Sequence, residues 1–134
     1  KKFEKKFGID KIDKSKNLYD FISSSKISIH KYPSTPFTES IYLNIPSVLL
    51  YRKDSWRFNP AYDYMIEKLE NSKILFYDPL RLSEHLNDIW ENIDNWWNSK
   101  EVQNTLDDIK NNIFKSNKNW SSEYQNFFDK LKND

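Results

Sequence analysis

A chain of 134 residues is long enough for one domain with a packed core and too short for two. Its 21 Lys and Arg against 20 Asp and Glu leave a formal net charge of +1, which excludes the strongly basic footprint of a nucleic-acid binder. With no cysteine, disulfides and thiolate metal sites are excluded, and His30 and His85 stand far apart without a second ligand at helical spacing, so no metal site is expected. No apolar run approaches the roughly 20 residues of a membrane span, and no signal-like segment opens the chain. A soluble, cytoplasmic domain is expected, a reducing compartment being compatible with the lack of cysteine.

In chain order, residues 1–15 read as a poorly defined arm, 16–98 as an α/β core and 99–134 as C-terminal helices. Ser15 caps a first predicted helix, Lys16–Ser24, with Leu18, Phe21 and Ile22 on one face. Ile27 and Ile29 alternate with polar neighbours and predict a strand over Ile27–Lys31, whereas the continuous run Val48–Leu49–Leu50 predicts a more deeply buried strand over Ser47–Tyr51. Between them Thr35 is the expected N-cap of a helix over Pro36–Leu43, with Pro36 at the first helical position, where its missing N–H costs nothing. Ile41, with Phe37 or Leu43, faces inward. Asn44 stands where the helix must end, because asparagine tolerates the left-handed conformation, and Pro46 prevents continuation.

The loop after Tyr51 carries Arg52, Lys53, Trp56 and Arg57 at the carboxyl end of a strand, where ligands bind in open α/β sheets. Tyr62, Met65, Ile66 and Leu69 then predict a helix over Pro60–Asn71, and Ile74–Leu75–Phe76 a third strand over Lys73–Tyr77. Asp78–Pro79 opens a long helix expected to run unbroken to Asn98, with Leu82, Leu86, Ile89, Ile93 and Trp96 or Trp97 in one stripe. Ser99 restarts a helix over Lys100–Phe114, and Ser122–Leu131 is the last. Trp90, Trp96, Trp97 and Trp120 suggest a sugar-stacking platform, but the helical stripes assign Trp90 and one of the adjacent pair to the core. The elements together predict a Rossmann-like three-layer domain with a short parallel sheet, right-handed crossovers and additional C-terminal helices.

Chemistry concentrates at the start of the helix after the first strand. Ser34 and Thr35 offer hydroxyls beside backbone N–H groups at a positive dipole end, an arrangement that receives anions, and Glu39 follows one turn later. The segment PSTPFTESIYLNIPSVLLY resembles the donor-binding segment of GT-B glycosyltransferases, in which a glutamate, a short helix, a Gly or Asn, a Pro and a hydrophobic strand follow one another. More closely, YPSTPFTESIYLNIPSVLLYRKDSW followed by IWENIDNWWNSKEVQ is similar to a family of bacterial surface-carbohydrate transferases with Ser-Thr-x-Phe-x-Glu and Trp-Trp-Asn segments, over about Leu18 to Phe114.

That resemblance implies one half of a GT-B fold, the C-terminal, donor-binding half of a longer protein, and places a nucleotide ribose on Glu39. The donor site it implies comprises Tyr32, Ser34, Thr35, Glu39, Arg52 and Trp56. It names no catalytic residue, since the acceptor base commonly lies in the other domain. It implies a nucleotide sugar as substrate, with no separate cofactor. Lys31 stands where many relatives carry a second glutamate, and Gly8 is the only glycine, so the glycine-rich phosphate loop is absent. The expected function is donor binding in bacterial surface-carbohydrate biosynthesis, inactive in isolation. The other readings are a non-enzymatic α/β interaction module and a nucleotide-sugar epimerase of similar architecture. Expected partners are the nucleotide sugar, the missing N-terminal domain and, for the isolated piece, another copy of itself.

Overall fold

The computed structural model describes residues 6, 17–55, 57–113 and 119–132. Three short strands, β1 (Ser28–His30), β2 (Ser47–Leu50) and β3 (Leu75–Phe76), form one parallel sheet in the order β1-β2-β3. Ser28 pairs with Ser47 and Leu49 with Leu75, so the pleat places Ser47 and Leu49 on one face and Val48 and Leu50 on the other. Seven α-helices accompany the sheet among the described residues. These are α1 (Leu18–Ser23), α2 (Thr35–Tyr42), α3 (Asp63–Asn71), α4 (Pro79–Ile89), α5 (Ile93–Trp97), α6 (Lys100–Asn112) and α7 (Trp120–Leu131).

Phe37 and Ile41 of α2, Met65 and Leu69 of α3 and Val102, Leu106 and Ile109 of α6 share one buried cluster with Leu49 and Leu75. Both crossover helices therefore lie on the same face, as a sequential parallel order requires when both connections have one hand. On the other face His85 of α4 stacks on Phe76, with ring centroids 5.3 Å apart. The result is the three-layer arrangement of a Rossmann-like α/β domain.

The two crossovers end alike. Asn44 and Lys73 both adopt φ 58°. In α2 the Asn44 N–H donates to Ile41 O and the Ile45 N–H to Ser40 O; in α3 Lys73 donates to Glu70 O and Ile74 to Leu69 O. Each is a Schellman turn, which satisfies the last carbonyls and turns the chain into its strand. The left-handed role expected of Asn44 is observed. Lys73 has no such sequence signal and adopts the same conformation.

The long helix expected over Pro79–Asn98 is broken. α4 stops at Ile89, the Asn92 N–H turns back onto Ile89 O, and α5 restarts at Ile93. The break carries α5 beneath the amino ends of the strands, where both adjacent tryptophans find carbonyls at the crossover turns. Trp97 Nε1 donates to Asn44 O at 3.0 Å, and Trp96 Nε1 to Ser72 O at 3.1 Å. Trp90 is not core: it is exposed at the end of α4, where the Lys26 ammonium lies 4.7 Å from its ring centroid and donates to its carbonyl.

Other boundaries shift by a residue or two. Ser34, rather than Thr35, is the N-cap of α2, and the segment before α3 begins as a 3₁₀ turn over Pro60–Tyr62. Leu43 faces outward, leaving Phe37 as the inward partner of Ile41. In α1 Ile22 is buried, while Leu18 and Phe21 are exposed, and Ile113 is likewise exposed at the end of α6. The last helix starts at Trp120, and its apolar residues, including Tyr124, Phe127 and Phe128, are all exposed. The predicted arm over residues 1–15 lies outside the described residues apart from Lys6.

Candidate functional site

The carboxyl ends of the three strands and the amino ends of α2 and α4 meet at one edge. At α2 the chain leaves β1, turns through Lys31–Pro33 and enters the helix at Ser34, whose backbone is extended (φ −101°, ψ 170°). The Ser34 N–H donates to Tyr32 O at 2.8 Å, which closes the turn. Its hydroxyl makes no capping bond. The N–H groups of Thr35 and Phe37 precede the first intrahelical bond and have no partner within the helix, while Pro36 carries none. No acidic residue occupies the first turn of α2, so the positive end of its dipole is not neutralised from within.

Glu39 lies four residues after Thr35, and both are exposed on the side of α2 opposite Phe37 and Ile41. One turn of helix separates them, a rise of about 5.4 Å. Tyr32 is exposed beside this helix start. Arg52 stands at the end of β2 on the same edge, but its guanidinium is held by Asp54 through Nε–Oδ1 at 3.0 Å and a terminal nitrogen to Oδ2 at 2.5 Å. The helix start thus carries Tyr32, Ser34, Thr35 and Glu39, while Arg52, which follows β2, is engaged by Asp54. Trp56 lies outside the described residues.

Sequence reasoning missed an aromatic cluster at the same edge. Tyr51 and Tyr77 follow β2 and β3 at equivalent register positions and pack ring edge to face, with centroids 5.2 Å apart. Phe58 packs on Tyr51 at 5.7 Å, and the Tyr77 hydroxyl donates to Glu70 Oε1 at 2.7 Å. Burial, followed by the bond to Glu70, pushes the Tyr77 hydroxyl well above its ordinary range, so it stays a donor. The signal was present: Leu-Leu-Tyr and Leu-Phe-Tyr close two successive apolar runs.

Between α2, α3 and α6 lies an apolar cavity of about 280 Å³, lined by side chains that include Phe37, Ile41, Met65 and Ile109. The sugar-stacking platform is not formed by Trp96 and Trp97, which sit at the opposite, amino edge of the sheet with their N–H groups committed. Among the described residues no three His, Cys, Asp or Glu side chains converge on a metal-sized site. No helix among them is long and apolar enough to cross a membrane.

Both histidines are buried, and each has its pKa lowered from 6.5. Desolvation is the cause at His30; at His85 desolvation comes first and Lys73 adds to it, against an opposing effect of Asp88. His30 Nε2 is 2.8 Å from Ser28 Oγ, whereas His85 Nε2 has no partner. The unfolded chain accepts protons at 6.5 that the folded chain refuses, so stability is full above that pH and falls as pH drops through the window below it. Urea midpoints are expected to decline from about pH 7.5 to about pH 5.5. His85→Phe keeps the ring contacts with Phe76 and Trp96, removes the unpartnered nitrogen, and should raise stability by about 1 kcal/mol while flattening part of that decline. An unchanged pH slope in this variant would assign the titration to other groups.

A family model described as LIC12162 family transferase matches residues 1–128. No curated protein and no solved structure matches the chain. With the match spanning nearly the whole sequence, the chain belongs to the LIC12162 family of transferases.

Proposed function

We propose that the chain is the nucleotide-sugar-binding domain of a GT-B glycosyltransferase that acts in bacterial surface-carbohydrate synthesis in the cytoplasm. One observation carries the reading: an uncompensated helix amino end at the carboxyl edge of a parallel sheet, with Glu39 one turn beyond Thr35 on the same open side. Free N–H groups and the hydroxyls of Ser34 and Thr35 receive a donor phosphate, while the Glu39 carboxylate accepts hydrogen bonds from the ribose diol. The Thr35-to-Glu39 rise is comparable with the step from phosphate to ribose. Arg52 is a reserve cation for the diphosphate, released from Asp54 when a stronger anion arrives. Tyr32 and Trp56 flank the base or sugar.

Tyr32, Thr35 and Glu39 face away from the domain's own core, and the base that activates the acceptor is assigned to the rest of a longer protein. The exposed aromatic side of α7 supports such a contact, and in isolation it favours self-association. The transferase activity is that of the whole protein, and the piece by itself does not turn over. No cofactor beyond the donor is assigned.

Glu39→Gln is expected to weaken nucleoside diphosphate binding by about 1–3 kcal/mol, the range for a hydrogen bond to a charged group, without loss of fold. The 2′,3′-dideoxy nucleotide should bind the parent weakly and lose less on the same substitution. Calorimetry of both ligands against both full-length proteins decides it. An equal loss for the two ligands would make Glu39 a structural helix residue and remove the ribose from it.

A further inference from the structure

The loop after β2 and the helix α3 enclose a groove of about 460 Å³ at the carboxyl edge of the sheet. Its floor is aromatic, formed by the Tyr51, Phe58 and Tyr77 cluster. Along the α3 wall Asp63, Glu67 and Glu70 follow one another at spacings of four and three residues, a single stripe of acceptors. Two cations complete the lining: the Lys53 ammonium lies over the Tyr77 ring, 4.3 Å from its centroid, and Arg57 borders the same groove.

An anion here would face three carboxylates, and a cation would face Lys53 and Arg57. Neither is well served. A group that both donates and accepts satisfies both, giving its hydrogens to the carboxylates and receiving those of Lys53 and Arg57. Hydroxyls have that property. An aromatic floor additionally calls for apolar C–H surface on the ligand's underside, and a ring bearing equatorial hydroxyls supplies both. The volume falls within the roughly 300–1,000 Å³ of small-ligand sites.

We propose that this groove binds a neutral saccharide, with its ring taking the place of the Lys53 ammonium over the face of Tyr77 and its hydroxyls spread between α3 and the displaced Lys53 and Arg57. The site is distinct from the start of α2. In a glycosyltransferase it would hold acceptor sugar, a role that rests on the reading given above. The binding itself does not.

Nuclear magnetic resonance of the chain, titrated separately with glucose, galactose, N-acetylglucosamine, glucuronate and glucosamine, tests it. At least one of the three neutral sugars should shift the Tyr51 and Tyr77 ring resonances, and Tyr77→Ala should weaken that binding by about tenfold or more. Glu67→Gln, on the exposed surface of α3, leaves the core untouched and should weaken the same sugar severalfold. The proposal is overturned by ring resonances that no neutral sugar moves, by response to glucuronate or glucosamine alone, or by neutral-sugar binding that both variants leave unchanged. Titration with a nucleoside diphosphate in parallel separates the two sites. Nucleotide binding without sugar binding would end the groove proposal and leave the donor site standing, and the reverse would keep the groove and end its acceptor role.

Discussion

Replacing Trp97 by alanine is expected to cost about 4 kcal/mol of folding free energy. The indole is almost fully buried, at 2% exposure, in the cluster that joins α2, α3 and α6. Its N–H also reaches both the carbonyl and the side-chain oxygen of Asn44, at 3.0 and 3.1 Å. Alanine would leave a void that the surrounding helices cannot close, together with an under-satisfied carbonyl at the end of α2. Trp97→Phe separates the two contributions: it keeps most of the packing and loses only the donor, at about 1–2 kcal/mol. Urea unfolding of the three proteins measures both. If phenylalanine proves as damaging as alanine, the hydrogen bonds rather than the burial dominate, and the packing account of this corner is wrong.

Ile41→Ala should follow closely, at about 4 kcal/mol, towards the upper part of the range of roughly 2–5 for such deletions. Ile41 is fully buried on the inner side of α2 and already borders the 280 Å³ apolar cavity, so its removal enlarges a space instead of opening one that could collapse. The enlarged cavity should take up benzene, as dry apolar cavities do, and benzene should raise the melting temperature of the variant more than that of the parent. A cost below about 1.5 kcal/mol without a benzene response would show that α2 settles inward and fills the space.

The fold was legible where one local rule sufficed. Asn44 before Pro46 announced a left-handed helix stop, and the unbroken Val48–Leu49–Leu50 run announced the more deeply buried strand. Asp78–Pro79 announced the start of α4, where the Asp78 side chain accepts from the Leu80 N–H. What escaped depended on partners distant in sequence. A smooth hydrophobic stripe from Leu82 to Trp97 concealed the turn after Ile89, because no Gly or Pro marks it; the gain comes from indole N–H bonds to Asn44 and Ser72, which no local pattern contains. Trp90 could not be told from the buried Trp97 for the same reason. At the site, the helix-start chemistry of Ser34, Thr35 and Glu39 was readable from spacing, whereas the Tyr51, Tyr77 and Glu70 grouping exists only once two strands lie in register.

The paired indoles beneath the sheet also bear on how the chain reaches its fold. Trp97 meets Asn44 across 53 residues and Trp96 meets Ser72 across 24, so these contacts close long loops and require both crossover turns to exist beforehand. On loop length alone the αβ units are expected to form first and the elbow that fastens them to close afterwards. Interactions absent from the folding transition state act mainly on the unfolding rate. The tryptophan pair is therefore expected to act as a latch: in stopped-flow kinetics Trp97→Phe should speed unfolding more than it slows refolding.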